Sequence, residues 1–378
     1  GNGVDTIDGG DGGDTLVGGS GDDVYLFNTN DVDSGETITE NVSGGTDVVA
    51  IVTTTDFANM SVASFNEIEQ IRFAGANQTG TFTGAQFTGE TLSLTETSAG
   101  TSNLIINVAS GTTAVFTNLA AGSGFTNGSD TITINGTTGN ENITGPNLVS
   151  TITGGSGDDT IVGGSQNDTI DGGDGEDNLT GGTGDDIYLF DTNDVDGNES
   201  ISENPGEGTD VIKLSSNTDF SNMTVASFDE IEVINLGNNR TGTFTGAQLT
   251  SETLDLQETG SGTSGIIINV ASGTSANFTN ITPSSFDNGA DTFTINVFEN
   301  SCAPSLREAS STRPNSEGGT TSRALRRTER ATASPAAARC ERAPAGTRVA
   351  TASPAAAASP ESTTIDCIRP QKFLPPEF

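Results

Sequence analysis

A nine-residue repeat, rich in glycine and aspartate, is the feature that most constrains how this chain can fold. Residues 154–189 divide into GGSGDDTIV, GGSQNDTID, GGDGEDNLT and GGTGDDIYL, and residues 1–26 contain three more copies, the first without its opening glycine. Two weaker copies, 136–144 and 145–153, precede the second block in the same frame. The consensus is G-G-x-G-x-D-x-U-x, where U is apolar, and a short fixed period of this kind predicts a solenoid or tandem array.

The two halves of the nonapeptide predict different local structures. The glycine-rich half predicts a turn, because glycine accepts positive φ angles and lets backbone carbonyls crowd together. The x-U-x half predicts a minimal strand whose central residue points inward. That eighth position is apolar in all six consecutive copies from 136 onwards: Ile143, Ile152, Ile161, Ile170, Leu179 and Tyr188. Two nonapeptides then form one coil, and turns 18 residues apart stack on the same edge of an all-β solenoid.

Stacked turns would bring the sixth-position carboxylates of the repeat close together. The predicted same-edge pairs are Asp5 with Asp23, Asp159 with Asp177, and Asp168 with Asp186. Unscreened carboxylates at such range repel by several kcal/mol at an intermediate dielectric. Each strand buries one small apolar residue, which is too little against ~1–2 kcal/mol of backbone entropy per residue. We therefore expect the coil to remain unfolded without a cation.

Calcium is the cation that this pattern predicts. Ca²⁺ takes six to eight oxygen ligands from carboxylates and carbonyls at ~2.3–2.6 Å, whereas Mg²⁺ requires a tight octahedron and retains its waters. The glycine-rich turn offers both kinds of oxygen, so folding of the repeat should be coupled to calcium binding.

The charge distribution excludes several classes of function. The 378-residue chain has a net charge of −37, and residues 1–300 contain only three cations, Arg72, Lys213 and Arg240. Such a field repels nucleic acid and anionic membranes, so we expect neither nucleic-acid binding nor membrane insertion. The chain has no His, which excludes a His-based zinc site and a Ser-His-Asp triad. All three Cys lie after residue 300. We predict no enzymatic activity for this chain. The alternative of adaptation to high salt is disfavoured because it would distribute acidic residues irregularly, whereas here they recur at fixed positions of the repeat.

A longer repeat organises the chain above the nonapeptides. The segment GDDVYLFNTNDVD at 21–33 returns as GDDIYLFDTNDVD at 184–196, and other segments return at the same offset. Between the blocks, short runs of Thr, Val, Ile and Phe joined by turn residues predict β-rich spacers. The predicted organisation is a truncated block at 1–27, a spacer at 28–135, a block at 136–190, a second spacer at 191–296 and a tail at 297–378. Whether the spacers continue the solenoid or form separate sandwiches stays open.

These nonapeptides resemble the RTX (hemolysin-type) calcium-binding repeat, by GGDGGDTLV, GGSGDDTIV, GGDGEDNLT and GGTGDDIYL as they stand. The resemblance implies a parallel β-roll with Ca²⁺ between successive turns, and export by type I secretion as an unfolded chain. The implied carboxylate ligands are Asp5, Asp14, Asp23, Asp159, Asp168, Asp177 and Asp186. The implied carbonyl ligands lie near Gly10, Gly12, Gly19, Gly21, Gly155, Gly157, Gly164, Gly173, Gly175, Gly182 and Gly184.

Some positions depart from the repeat pattern. Gln166 replaces the fourth-position glycine, so we expect a distorted turn there. Glu141 and Ser150 occupy sixth positions, so weak or empty sites are expected at both. Tyr25 and Tyr188 end the inward column of each block and are predicted to plug the roll, the alternative being a ligand-stacking role.

Two acidic loops after the blocks are weaker candidates for calcium sites. They carry Asp31 and Asp33 in one copy and Asp194 and Asp196 in the other, and they end on Glu40 and Glu203. Their spacing is partly that of an EF-hand loop, although the first position is not Asp and no flanking helix is predicted. The alternative is a solvated acidic turn that leaves the roll.

The tail has a different composition, rich in Ala, Pro and Arg, from about residue 301. We expect it to be disordered. A frameshift in GC-rich DNA would convert Gly codons to Ala and Asp codons to Thr, so one hypothesis is an out-of-frame repeat block. The alternative is an Ala/Pro-rich linker.

The predicted function is an extracellular calcium-binding module that folds on Ca²⁺ binding. It would serve as a structural or adhesive part of a secreted or cell-surface bacterial protein, such as a surface-layer protein or an adhesin. Its partners would be calcium ions and either cell-surface glycans or other copies of itself. The alternative is the secretion and folding appendage of an RTX enzyme or toxin whose catalytic domain lies before Gly1. A third hypothesis, catalysis by the acid pairs Glu67/Glu69 and Glu230/Glu232, is disfavoured because such alternation also marks an exposed strand face.

Overall fold

The computed structural model describes residues 1–298 except 43, 261 and 287–290, together with the strands at 348–352 and 364–365. Within these ranges the chain is almost entirely β-structure, as predicted. Helical structure is limited there to α1 (Gly84–Phe87) and two 3-10 turns, Val62–Phe65 and Val225–Phe228. None of the described helices has the length and apolar character needed to cross a membrane.

The strands are short and evenly distributed along the chain. The first block and first spacer contain β1 (Thr6–Asp8), β2 (Thr15–Val17), β3 (Val24–Phe27), β4 (Thr37–Thr39), β5 (Val48–Ile51), β6 (Thr55–Asp56), β7 (Gln70–Phe73), β8 (Thr79–Thr83), β9 (Leu92–Glu96), β10 (Asn103–Asn107), β11 (Thr113–Val115), β12 (Leu119–Ala121) and β13 (Thr131–Asn135). The second block contains β14 (Asn142–Thr144), β15 (Thr151–Ser156), β16 (Thr160–Ser165), β17 (Thr169–Asp174), β18 (Asn178–Thr183) and β19 (Ile187–Phe190). The second spacer contains β20 (Ser200–Ile201), β21 (Val211–Leu214), β22 (Thr218–Asp219), β23 (Val233–Asn235), β24 (Thr241–Thr245), β25 (Leu254–Gln257), β26 (Gly265–Val270), β27 (Ala276–Asn277), β28 (Ile281–Pro283) and β29 (Thr292–Val297), and the tail contributes β30 (Arg348–Ala352) and β31 (Thr364–Ile365).

Successive coils pair in parallel and form long ladders. In the second block the register advances by one coil of two nonapeptides, so that Ile152 pairs with Ile170 and Ile170 pairs with Tyr188. One sheet of eleven strands runs β6-β8-β10-β13-β15-β17-β19-β21-β23-β25-β28. A five-stranded sheet, β11-β14-β16-β18-β20, forms the other side of the roll, and β1-β3-β5-β7-β9-β12 extends from the first block.

The spacers continue the solenoid, which answers the question that the sequence left open. The ladder crosses the sequence boundary near residue 27 by pairing β3 with β5, the one near 135 by pairing β13 with β15, and the one near 190 by pairing β19 with β21. The coil length changes: the hydrogen bond from a backbone N–H to an aspartate of the next coil spans 18 residues within the block and 24 residues where the block meets the second spacer.

The eighth-position residues of the second block are fully buried, as predicted, and form two facing columns, one on each sheet of the roll. Ile152, Ile161, Ile170, Leu179 and Tyr188 all have 0% of their surface exposed. The nonapeptide coils bury little else between their two sheets, so their apolar stabilisation is small for the number of residues that they order.

The spacer coils are larger and bury an aromatic core that the roll lacks. Phe57 stacks on Phe82 with ring centroids 4.6 Å apart, and the corresponding Phe220 stacks on Phe244 at 4.9 Å. Such pairs stabilise beyond their buried area, and each Phe side chain buries about 150–250 Å². The side-chain amide of Gln248 closes this core by donating to the carbonyls of Phe220 (2.7 Å) and Met223 (2.9 Å), and Gln86 does the same in the first copy.

The described part of the tail consists of two strands, each of which pairs antiparallel with a strand of the second spacer. Strand β30 pairs with β29, and β31 pairs with β27. The remaining predictions for 297–378, including disorder and the frameshift, fall almost wholly on residues outside those that the structure describes.

Candidate metal centre

The turns of the roll require glycine because they stack in direct contact. Gly173 and Gly175 have φ angles of 89° and 144°, in the left-handed region that side chains disfavour. A Cβ on Gly173 would overlap the carbonyl oxygen of Gly155 in the preceding coil. Gln166 has a φ of 89°, in the same region as that of Gly157 at 117°. The φ angle of Gln166 therefore does not show the distortion that was expected there. The stacked turns therefore bring carbonyl oxygens into one row along each edge.

The sixth-position aspartates form a second row that is tied to the backbone. The Asp159 backbone N–H donates to Asp177 Oδ1 of the following coil at 2.7 Å. The three predicted same-edge pairs all have this 2.7 Å contact: Asp5 with Asp23, Asp159 with Asp177, and Asp168 with Asp186. Each pair is therefore brought together as predicted, with one carboxylate oxygen fixed by an amide of the neighbouring coil.

The second carboxylate oxygen of these aspartates is buried and has no donor. This holds for the Oδ2 atoms of Asp14, Asp23, Asp159, Asp168, Asp177 and Asp186. A buried polar atom without a partner is costly and rare in native proteins. The unpartnered oxygens therefore require an explanation, and a bound cation would supply one.

Each unpartnered oxygen faces the first glycine of its own nonapeptide. A Cβ on Gly154 would overlap both Asp159 Oδ2 and the carbonyl oxygen of Gly172 in the next coil. A carboxylate oxygen and a backbone carbonyl oxygen thus converge on one point between two turns. Hard oxygen donors of these two types fit Ca²⁺, and such a site would be held by residues from adjacent coils.

Burial makes the aspartates unfavourable as free anions. Burial, the largest cause, raises the pKa of Asp168 and Asp177 to about 7 and that of Asp159 to about 6. Backbone hydrogen bonds oppose the shift, and the neighbouring carboxylate of the stacked coil adds to it for Asp159 and Asp177. A cation at the site would favour the charged forms and displace protons on binding.

The sixth positions of Glu141 and Ser150, which were predicted to be weak sites, and that of Asp5 differ from the others in their contacts. The carboxylate of Glu141 accepts from the backbone N–H groups of Gly111 (2.7 Å) and Thr137 (3.1 Å), and so has protein donors. Ser150 offers only a hydroxyl, which donates to Asp168 Oδ1 at 2.9 Å. Asp5 is half-exposed, and its Oδ2 lies 3.4 Å from the amino group of Gly1.

The acidic loops after the blocks use their aspartates mainly to close turns. Asp31 Oδ2 accepts from the Asn28 N–H at 2.6 Å, and Asp194 Oδ2 accepts from the Asp191 N–H. Asp33 Oδ2 accepts from the Gly12 N–H at 3.0 Å. For the remaining loop residue, Asp196, the structure places the side chain in an exposed turn that precedes β20. Their role as ligands stays a prediction.

The carboxylate ladder continues beyond the nonapeptides, which sequence reasoning missed. Asp177 N–H donates to Glu199 Oε2 at 2.9 Å, and Asp186 N–H donates to Asp210 Oδ1 at 2.9 Å. Glu199 is fully buried, its Oε1 has no donor, and burial raises its pKa to about 9. One sequence signal was available: TDVI at 209–212 repeats the D-x-U half of the nonapeptide, and its Ile212 pairs with Tyr188 in the buried column.

Comparison with known proteins agrees with this geometry. A family model for the RTX calcium-binding nonapeptide repeat matches four copies, at residues 1–28 and 153–188. These ranges contain all six aspartates with an unpartnered buried oxygen. No curated protein and no solved structure matches the chain. Residues 1–28 and 153–188 are therefore RTX calcium-binding nonapeptide repeats, and Ca²⁺ is the ion that such repeats bind.

Proposed function

We propose that this chain is an extracellular structural module that Ca²⁺ folds, within a secreted or cell-surface bacterial protein. The observation that carries the proposal is the row of buried aspartate oxygens without donors, phased to the stacked turns. At the low calcium concentration of a cytosol, the repulsion between these carboxylates keeps the roll unfolded and competent for export, and type I secretion is the proposed route. Outside the cell, calcium at ~10⁻⁴–10⁻³ M, the range of extracellular modules, completes the fold.

The continuous solenoid supports a structural role. Eleven strands in one sheet, spaced about 4.8 Å apart, give a ladder of roughly 48 Å from first strand to last. Such a ladder suits a spacer or an adhesive stalk, with cell-surface glycans or further copies of the chain as the proposed contacts. One acid of each spacer pair has a structural partner: Glu69 accepts from the Asp47 N–H, and Glu232 accepts from the Asp210 N–H. These structural contacts favour a module without catalysis over catalysis by the acid pairs.

The calcium midpoint of folding tests the proposal. The full chain is titrated with free Ca²⁺ while far-UV circular dichroism reports β-structure and small-angle scattering reports the overall dimensions, with Mg²⁺ titrated in parallel. We expect a coil-to-β transition and a more compact particle, with a midpoint above about 10⁻⁵ M and no equivalent transition in Mg²⁺. A midpoint below micromolar would mean a folded chain in the cytosol and would contradict the extracellular switch.

A further inference from the structure

We infer that each nonapeptide block ends in an additional calcium site, built jointly by the last nonapeptide and the spacer that follows. The two sites consist of Asp23, Glu40 and Asp47 in the first copy and of Asp186, Glu203 and Asp210 in the second. In each group, one carboxylate oxygen per residue lies within 4.8 Å of the other two. Only Asp23 and Asp186 belong to the matched repeats, and the other four residues come from the spacers. We call these groups the junction sites.

The first reason is an unpartnered oxygen at the centre of each group. Asp23 and Asp186 have 0% of their surface exposed. Their Oδ1 atoms accept from Asp5 and Asp168 in the preceding coil, whereas their Oδ2 atoms have no donor. In the second copy, Glu203 Oε2 is also buried without a donor. Oxygens in this condition point to a ligand that is not part of the protein.

The second reason is that the spacer glutamate takes the place of a turn carbonyl. Within the roll, the space beside Gly154 is bounded by Asp159 Oδ2 and the Gly172 carbonyl of the next coil. After the last nonapeptide a spacer turn still stacks on the roll, with Gly45 against the Gly21 carbonyl. The space beside Gly18 is instead bounded by Asp23 Oδ2 and Glu40 Oε1. A carboxylate therefore replaces the missing carbonyl, and the junction site carries more negative charge than a site between two nonapeptides.

The third reason is that both spacer acids are held in place by the roll. Glu203 Oε1 accepts from the Gly181 N–H at 2.8 Å and from the Tyr188 hydroxyl. Asp210 Oδ1 accepts from the Asp186 N–H at 2.9 Å. Ligands fixed in this way lose little freedom when an ion binds.

The first copy has a similar arrangement, in which the second glycine of the nonapeptide, rather than the first, donates to the glutamate. Glu40 accepts from the Gly19 N–H at 3.1 Å and from the Tyr25 hydroxyl, and Asp47 Oδ1 accepts from the Asp23 N–H at 2.8 Å. Tyr25 and Tyr188 were predicted to plug the end of the roll, but they do not, because Val49 and Ile212 continue the buried column beyond them. In addition to packing in this column, each tyrosine orients the junction glutamate.

The junction sites go beyond the proposed function because they place calcium at the boundary between roll and spacer. An ion bound there would connect the last nonapeptide coil to the first spacer coil through side chains of both. Folding of the roll would then stabilise the adjoining spacer coil, which the backbone ladder already extends.

The two tyrosines provide a specific probe for these sites. The chain has two Tyr and no Trp, and both hydroxyls contact a junction glutamate. Terbium(III), a hard cation that occupies calcium sites, emits when a nearby tyrosine transfers energy to it. The test uses the full chain with E40Q, D47N, E203Q and D210N combined. The matched control combines D56N, E90Q, D219N and E252Q, which remove the same charge from corresponding spacer positions outside the junctions.

We expect the junction variant to bind two fewer Ca²⁺ per chain in equilibrium dialysis and to lose most of its tyrosine-sensitised terbium emission. The control should match the wild-type chain in both measurements. Unchanged stoichiometry and emission in a junction variant that still folds with calcium would overturn the inference. If that variant does not fold, E40Q/E203Q, which keeps both aspartates, decides by the same criteria. A wild-type chain without any calcium transition would instead refute the proposed function.

Discussion

Replacing Asp177 with Asn should have opposite effects on the calcium-free and calcium-bound protein. Asp177 is 1% exposed, and its Oδ1 accepts from the Asp159 N–H at 2.7 Å. Asparagine keeps an acceptor oxygen for that hydrogen bond but removes the buried charge. It resembles the protonated aspartate, which the calcium-free fold favours, and it is a weaker calcium ligand.

The magnitude follows from the raised pKa of Asp177. Burial raises this pKa from the ordinary value of 3.8 to about 7. A difference of this size corresponds to about 4 kcal/mol of unfavourable ionisation in the folded chain above pH 7. D177N should therefore raise the free energy of unfolding of the calcium-free chain by up to about 4 kcal/mol at pH 8. At a calcium concentration a hundredfold above the dissociation constant, losing one site should remove about 2.7 kcal/mol of stabilisation.

Calcium titration from chelator at pH 8, followed by far-UV circular dichroism, measures both effects: D177N should have more β-structure than the wild-type chain in chelator and a smaller gain with calcium. The control is D174N, which removes an exposed carboxylate from the same nonapeptide. If D177N destabilises the calcium-free chain, the buried carboxylate is not under electrostatic strain and the reasoning fails. The same conclusion follows if D177N leaves the calcium-dependent gain intact.

Three further predictions concern the roll and its neighbours. In chelator, lowering the pH from 8 to 5 should increase the β-structure seen by circular dichroism. Asp168 and Asp177 have pKa values of about 7 in the folded chain and 3.8 otherwise, so the folded form gains protons and stability as the pH falls through 7. A β-structure signal that does not change with pH would contradict this. Gly172→Ala should weaken calcium binding at least about tenfold by calorimetry, because the Cβ of the new alanine would overlap Asp177 Oδ2. The control is Gly3→Ala, whose Cβ would have no atom within 4 Å, and it should bind calcium normally. In chelator, hydrogen exchange should be fast across 142–189 and slower across 241–270, where the Phe core stabilises the coils; uniform exchange would argue against calcium as the specific support of the roll.

The roll could be predicted from the sequence because its period is visible in every copy. The nonapeptide places Asp159 and Asp177 one coil apart, and the structure shows them in contact as the spacing requires. The inward column was equally predictable, since an apolar residue at a fixed position of every repeat must face the core of a solenoid. The stacking of the turns follows from the same regularity.

The spacers could not be read in this way because their coils vary in length. Aligned contacts are 24 residues apart between Asp186 and Asp210, and 22 residues apart between Asp210 and Glu232. Without a constant period, a parallel coil has the same local pattern as a set of antiparallel strands, so the continuation of the ladder stayed open. For the same reason, the sequence placed Glu40 and Glu203 at the end of candidate calcium loops but did not predict their contact with the last nonapeptide of each block. Glu203 reaches Gly181 only when the intervening coil closes at one particular length.

Gln166 shows a limit of residue-type reasoning in turns. A distorted turn was expected where Gln166 replaces the fourth-position glycine, yet Gln166 adopts a positive φ like that of the glycines. The backbone contact with the next coil persists at this turn, since the Gln166 N–H donates to the Thr183 carbonyl at 2.7 Å. Stacking against neighbouring coils therefore imposes the turn on a residue that would avoid it alone.

Anomalous diffraction from crystals of the chain grown with calcium tests the central claim most directly. The account predicts anomalous peaks between successive turns, each in contact with the Oδ2 atom of a sixth-position aspartate such as Asp159, Asp168 or Asp177. Peaks elsewhere, or turns in which a protein donor contacts these oxygens and no ion is present, would contradict it.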